Sequence, residues 1–165
     1  MKKWAKLVTI CAVASAVLLA GCGPPKADAE KLTAALEAVS RLESKVEAGV
    51  VYADYSKAVG DTKGTVDLFT ESAAAKSYPK VAAGLSRAMR AYVMAGTFWK
   101  WQIESAGSGS VSASAFPSWP ANLKEFPELR AAVDQDGHLS LGGASQALWS
   151  AANESLTTAK AAAPK

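Results

Sequence analysis

Histidine and cysteine are close to absent from this chain. One His, His138, and two Cys, Cys11 and Cys22, stand among 165 residues. Residues 23–165 hold no cysteine, so no disulfide staples them and the fold there rests on packing. A Cys/His zinc set and a cysteine nucleophile are excluded from that stretch for the same reason. A single histidine without a Gly-x-Ser-x-Gly turn is a poor start for a serine hydrolase. An uncharged run long enough to span a bilayer is also missing. Leu7–Ala20 has fourteen uncharged residues, where a spanning helix needs about 20, and Gly23-Pro24-Pro25 cannot prolong it. Alternation of period two is lacking too, apart from Leu139-Ser140-Leu141, which is too short to predict a strand.

What is present begins with a leader. MKKWAK places Lys2, Lys3 and Lys6 before the apolar run, and small residues close it. That order of basic start, short apolar stretch and small-residue boundary is the pattern of an export signal. The formal charge of +3 belongs to it. Losing those three lysines with the leader evens the 18 basic side chains with the 15 acids, which points away from nucleic acid as a partner.

Leu19-Ala20-Gly21-Cys22 closes the run and resembles the lipobox of bacterial lipoproteins. The resemblance covers the leader alone. It implies cleavage between Gly21 and Cys22 by signal peptidase II, a diacylglyceryl group on the Cys22 sulfur, and acylation of the new amino group by the lipoprotein-processing machinery. A thiol suits alkylation because its thiolate is a strong nucleophile. One acyl chain anchors reversibly, whereas two or more anchor stably, at about 0.8 kcal/mol per buried methylene. In Gram-negative bacteria, Gly23 in place of the aspartate linked with inner-membrane retention implies the outer membrane, facing the periplasm. The implied organisation is a signal peptide over 1–21, a lipidated tether over 22–27, a domain over 28–161 and a tail over 162–165.

The domain reads as helical. Leu32, Leu36, Val39, Leu42, Val46 and Val50 recur at steps of three and four behind Asp28, a candidate N-cap, and Gly49 is placed to end that helix. Carrying the heptad forward meets Ala53, Ser56 and Gly60, so the phase slips and a second helix is predicted over 53–75 with Asp54 as its cap. Gly60 and Gly64 cost it roughly 1 kcal/mol each relative to Ala, which suggests close helix contact there. Pro79 opens a third helix, whose stripe runs Val81, Leu85, Met89, Tyr92, Gly96, Trp99 and Ile103. A Gly/Ser/Pro-rich loop spans 106–120, and the prolines of Phe116-Pro117-Ser118-Trp119-Pro120 argue against regular structure at its end. A short helix over 127–133 and a last helix over 143–161 follow, the latter behind Ser140 as a candidate cap and burying Ala147, Leu148, Ala151 and Leu156. Together these predict an all-α antiparallel bundle of about four helices.

Chemistry is thin. Asp134-Gln135-Asp136-Gly137 has the middle of a calcium loop, but its first and twelfth places hold Ala132 and Gly143, so a polar turn is expected and no metal. Asp54, Asp61 and Asp67 have no spacing that marks a carboxylate pair. Trp99 and Trp101, two apart, point to different helix faces, one toward the core and the other exposed or under a loop. Phe116 and Trp119 either seal one end of the bundle or, with Trp101, present aromatic anchors to a partner.

The expected function is a non-catalytic, lipid-anchored envelope protein with no cofactor beyond the lipid on Cys22, bound to the membrane and to an envelope protein or peptidoglycan. The alternative is a cell-wall enzyme or accessory factor using carboxylates of the bundle.

Overall fold

The computed structural model describes residues 26–105, 109–116 and 118–164. Gly21 and Cys22 lie outside them. Four long helices form an all-α bundle: α1 (Lys26–Glu47), α2 (Tyr52–Thr70), α4 (Pro79–Glu104) and α6 (Leu141–Ala162). A single turn of helix, α3 (Ala73–Ser77), joins α2 to α4. Between α4 and α6 the chain makes β1 (Ser110–Ser112), a short helix α5 (Trp119–Glu125), a 3-10 segment Pro127–Ala132 and β2 (His138–Ser140).

The apolar stripes go where their spacing sends them. Leu32, Val39 and Leu42 of α1 are buried, and so are Tyr55, Val59, Val66 and Phe69 of α2. Gly49 turns the chain with φ +85°, and its N–H donates to Val46 O at 3.2 Å, so α1 and α2 form an antiparallel hairpin. Ser140 caps α6, accepting from the Gly143 N–H at 3.1 Å. Leu141, Leu148, Ala151 and Leu156 line the inner face behind it, with Ala147 half-buried.

The tightest seam lies between α4 and α6. Ala88, Ala91 and Ala95 of α4, and Ala144, Ala151, Ala152 and Ala159 of α6, are fully buried. A Cβ placed on Gly84 would stand 2.9 Å from Ala159 Cβ and 3.0 Å from the Ser155 carbonyl oxygen. Ser145 Oγ crosses the seam to donate to Ala95 O at 3.2 Å. Small residues let the backbones approach until a hydroxyl can bridge them.

Several expectations are corrected. The helix starts at Lys26, so Asp28 stands in the first turn, where a carboxylate favours the helix dipole without capping. Val51 occupies the N-cap of α2, and Asp54 again falls in the first turn. The helix predicted to run to residue 75 stops at Thr70. The Ser72 N–H and hydroxyl both donate to Phe69 O, at 3.0 and 2.6 Å, the carbonyl that a continued helix would have offered to residue 73. Gly60 and Gly64 touch nothing within 4 Å of a Cβ position; helix contact falls at Gly84 and Gly96 instead. Ile103 is 55% exposed, so the last residue of the predicted stripe stands outside the core.

The region after α4 is more ordered than its composition suggests. Pro120 sits in the first turn of α5, where its missing N–H costs no bond, so this proline helps to start a helix instead of forbidding one. Pro127 opens a 3-10 segment where an α-helix was expected. The pairs Ser110–Ser140, Val111–Leu139 and Ser112–His138 form a two-stranded antiparallel ladder. Three residues are too few to show alternation, yet they suffice to bury Leu139 completely.

Alanine at Gly60 or Gly64 meets open space in helical backbone, and each substitution is expected to stabilise the fold by about 0.5–1 kcal/mol. Gly84→Ala forces the α4–α6 seam apart and is expected to cost about 1–3 kcal/mol. Urea unfolding of the three variants checks both signs.

Candidate functional site

Helix α4 is apolar on more than one side. Val81, Leu85, Ala91 and Tyr92 face the interior, while Met89, Val93, Met94, Phe98 and Trp101 line an open groove on the other side. The C-terminal half of α2 forms one wall, through Lys63, Val66 and Asp67. The segment from Phe116 through α5 forms the opposite wall, through Phe116, Ser118, Asn122 and Glu125. The groove encloses about 550 Å³.

Aromatic contacts place the second wall. Phe116 stacks on Trp101 with ring centroids 4.6 Å apart and planes 15° from parallel, and meets Phe98 edge-on at 5.9 Å. Trp119 lies tilted against Phe116 at 6.4 Å. All three sequence-selected rings, Trp101, Phe116 and Trp119, are thus brought together and half-buried. Trp99 departs from expectation, being half-buried like Trp101. It packs edge-on against Tyr52, Tyr55 and Trp149, at 5.5, 5.3 and 5.6 Å. Trp99 closes the helix interface without being fully buried, and Trp101 packs against the loop, one of the two placements expected for the second ring.

Two arginines, not singled out by sequence, fasten this wall to the bundle. Arg90 Nε pairs with Glu125 Oε1. Arg87 donates to Ser155 Oγ at 2.9 Å, to Glu128 Oε1 at 3.2 Å and to the Glu125 carbonyl at 3.3 Å, with its guanidinium 5.1 Å over the Phe126 ring. Such planar, many-donor contacts suit Arg better than Lys. Their three-residue spacing on α4 puts them on one face, which was visible in sequence; their partners, 35 to 68 residues away, were not.

The charges of the groove are gathered at one end. Lys63 pairs with Asp67 at 2.5 Å on α2, and Arg90 with Glu125 across from it. The antiparallel order of α2 and α4, fixed by Tyr55 against Gly96, sets both pairs beside Ser86 and Arg90, the α4 N-terminal side. Phe98, Trp101 and Phe116 occupy the other end. Asp54 and Asp61 lie exposed elsewhere on α2.

Behind the groove runs a chain of polar groups inside the bundle. Trp149 Nε1 donates to Tyr55 Oη at 3.0 Å, Tyr55 Oη donates to Tyr92 O at 2.6 Å, and Tyr92 Oη donates to Asn153 Oδ1 at 2.9 Å. Burial raises both tyrosines well above their ordinary value of 10, since a phenolate there would lose its hydration.

The acidic turn behaves as a turn. Asp134 Oδ1 accepts from the N–H groups of Asp136 and His138 at 3.0 and 2.8 Å, and Gly137 has φ +80°. Among the described residues no group of three or more His, Cys, Asp or Glu is placed to hold a metal ion, and no helix is long and apolar enough to cross a membrane. Comparison with known families, with curated proteins and with solved structures finds no match for this chain.

Tyr55→Phe leaves the Trp149 N–H without its acceptor and is expected to cost about 1–3 kcal/mol in urea unfolding. The raised tyrosines also fix a pH dependence. Stability is full below the unfolded tyrosine value of 10 and falls above it, because the unfolded chain releases those protons first. Unfolding midpoints measured between pH 9 and pH 12 should decline about less steeply by one phenol in Tyr55→Phe.

Proposed function

We propose that this chain is a bacterial envelope lipoprotein of the binding type, a helical domain held at a membrane by lipid on Cys22. The observation that carries the proposal is Leu19-Ala20-Gly21-Cys22 at the end of a fourteen-residue uncharged run behind three lysines. Signal peptidase II cuts before Cys22, and the diacylglyceryl and N-acyl groups remain as anchor. Gly23 directs the product to the outer membrane, facing the periplasm, in a Gram-negative host.

A binding role, in place of a catalytic one, is supported by how the groove spends its charges. Asp67 is committed to Lys63 and Glu125 to Arg90, and the floor between them is apolar. Trp101 and Phe116 serve this role as builders of the groove, since their faces are stacked on each other, and Trp119 backs Phe116 at a tilt. An envelope component is the partner.

Cells fed a radiolabelled or alkyne-tagged fatty acid test the anchor. The native chain is expected to carry the label, and Cys22→Ser to accumulate as an unlabelled precursor heavier by its leader. Label retained by the variant, or a bare Cys22 thiol in mass spectra of native protein, overturns the proposal.

A further inference from the structure

The two strands of the ladder are not equally covered. β2 has a neighbour along each edge, β1 on one side and Val133 on the other. β1 has β2 alone: among the described residues no other segment pairs with its outer edge. The bonds that frame the ladder fix which groups that edge carries. Ala113 N–H donates to Gly137 O at 3.0 Å and Leu141 N–H to Gly109 O at 2.9 Å, so residues 109, 111 and 113 turn their backbone groups toward β2. Ser110 and Ser112, between them, turn theirs away. Both are exposed, and Val111 is half-buried. The Ser112 carbonyl also heads the 3-10 turn Ala113–Ala115, yet it keeps a second lone pair.

A bare strand edge accepts another strand, which is why edges are commonly shielded by a charge, a proline or a bulge. This edge has none of them. Gly109, Ser110, Val111, Ser112 and Ala113 are uncharged, and the register of the ladder is unbroken. The order of side chains then selects the strand that fits. About Val111 the segment is nearly symmetric, Ser110 matching Ser112 and Gly109 matching Ala113. Turned about a two-fold axis at Val111, a second copy sets its Ser112 opposite Ser110 and its valine opposite Val111. The outward N–H and C=O groups of the serines then bond each other across the axis. Serine hydroxyls meet on one face and the valines on the other, with no like charges opposed. An unrelated strand would find the same backbone bonds without that side-chain match.

We propose that β1 is a homotypic docking edge, through which two copies of this chain pair antiparallel over Ser110–Ser112. The contact is isologous, so it closes at two chains and does not propagate. So short an edge forms a small interface, and pairing is favoured where chains are confined side by side at a surface. A lipid anchor supplies such confinement, but the edge is independent of it.

The test uses the full chain in the envelope of expressing cells, with one added cysteine and copper–phenanthroline as oxidant. Val111 and its counterpart form a pair without direct backbone bonds, whose Cα atoms stand about 4.5 Å apart and within disulfide range. Val111→Cys is therefore expected to give a disulfide-linked dimer, with the link placed at 111 by peptide mass spectrometry. Residue 110 lies diagonally from its own counterpart, roughly 7–8 Å away, so Ser110→Cys is expected to link about tenfold less. The chain without an added cysteine gives the blank, which subtracts any link through Cys22. Ser112 has φ −60°, which proline shares, so Ser112→Pro removes an outward donor and leaves the fold intact, as checked by circular dichroism and thermal unfolding. Combined with Val111→Cys, it is expected to lower the dimer yield about tenfold. Equal yields from Val111→Cys and Ser110→Cys overturn the register. A yield indifferent to Ser112→Pro overturns the edge, and a link from position 111 to a different protein overturns the second copy as its occupant. Absence of the dimer overturns the edge whatever fatty-acid label Cys22 carries; a dimer formed without that label leaves the edge standing and the anchor fallen.

Discussion

Close approach of α4 and α6 is the constraint from which the rest of the architecture follows. Glycine and alanine on both helices bring the backbones near enough for Ser145 to reach the Ala95 carbonyl and for Ser155 to meet Arg87. Bulkier residues there would fill the seam with side chains, and α4 would lose its fixed position. With α4 set, its inner aromatic, Tyr92, accepts the Tyr55 hydroxyl from α2 and donates to Asn153 of α6, tying three helices through one buried polar chain. Each of those groups is satisfied, which is the condition under which burying them is tolerable.

The groove is a by-product of the same arrangement. A helix that packs on three neighbours normally buries all its apolar surface, but α4 keeps a side that α2 reaches only with its C-terminal half. Helix α5 approaches from the opposite flank and stops short, because Phe116 meets Trp101 and Arg90 meets Glu125 before the gap closes. The strap formed by Phe116, α5 and the 3-10 segment Pro127–Ala132 therefore acts as a spacer as much as a cover. Ring stacking sets its height at one end, and an ion pair sets it at the other.

The strap also shows how a segment without a core of its own can hold a defined course. Phe126 and Leu129 are its fully buried side chains. Arg87 supplies the remainder, reaching one carboxylate, one carbonyl and one ring face from a single guanidinium. Local signals then refine the path: Pro120 and Pro127 start helical turns, and Gly137 closes the acidic turn that returns the chain to β2 and α6.

Much of this was legible in the chain. Apolar residues three and four apart determined the long helices, since that spacing alone lines one face; Gly49 and Ser140 determined an end and a beginning, since few residues adopt positive φ or offer a capping hydroxyl. Leu19 to Cys22 alone carries the expected address of the protein. Other features were beyond it. Gly60 and Gly64 looked like contact points and Gly84 did not, because a glycine is tight or loose only according to what another helix brings to it. The same holds for Pro120 in the first turn of α5, for a three-residue ladder, and for Arg87 and Arg90. Their partners are far along the chain, and local spacing contains no information about distances that only the packed helices create.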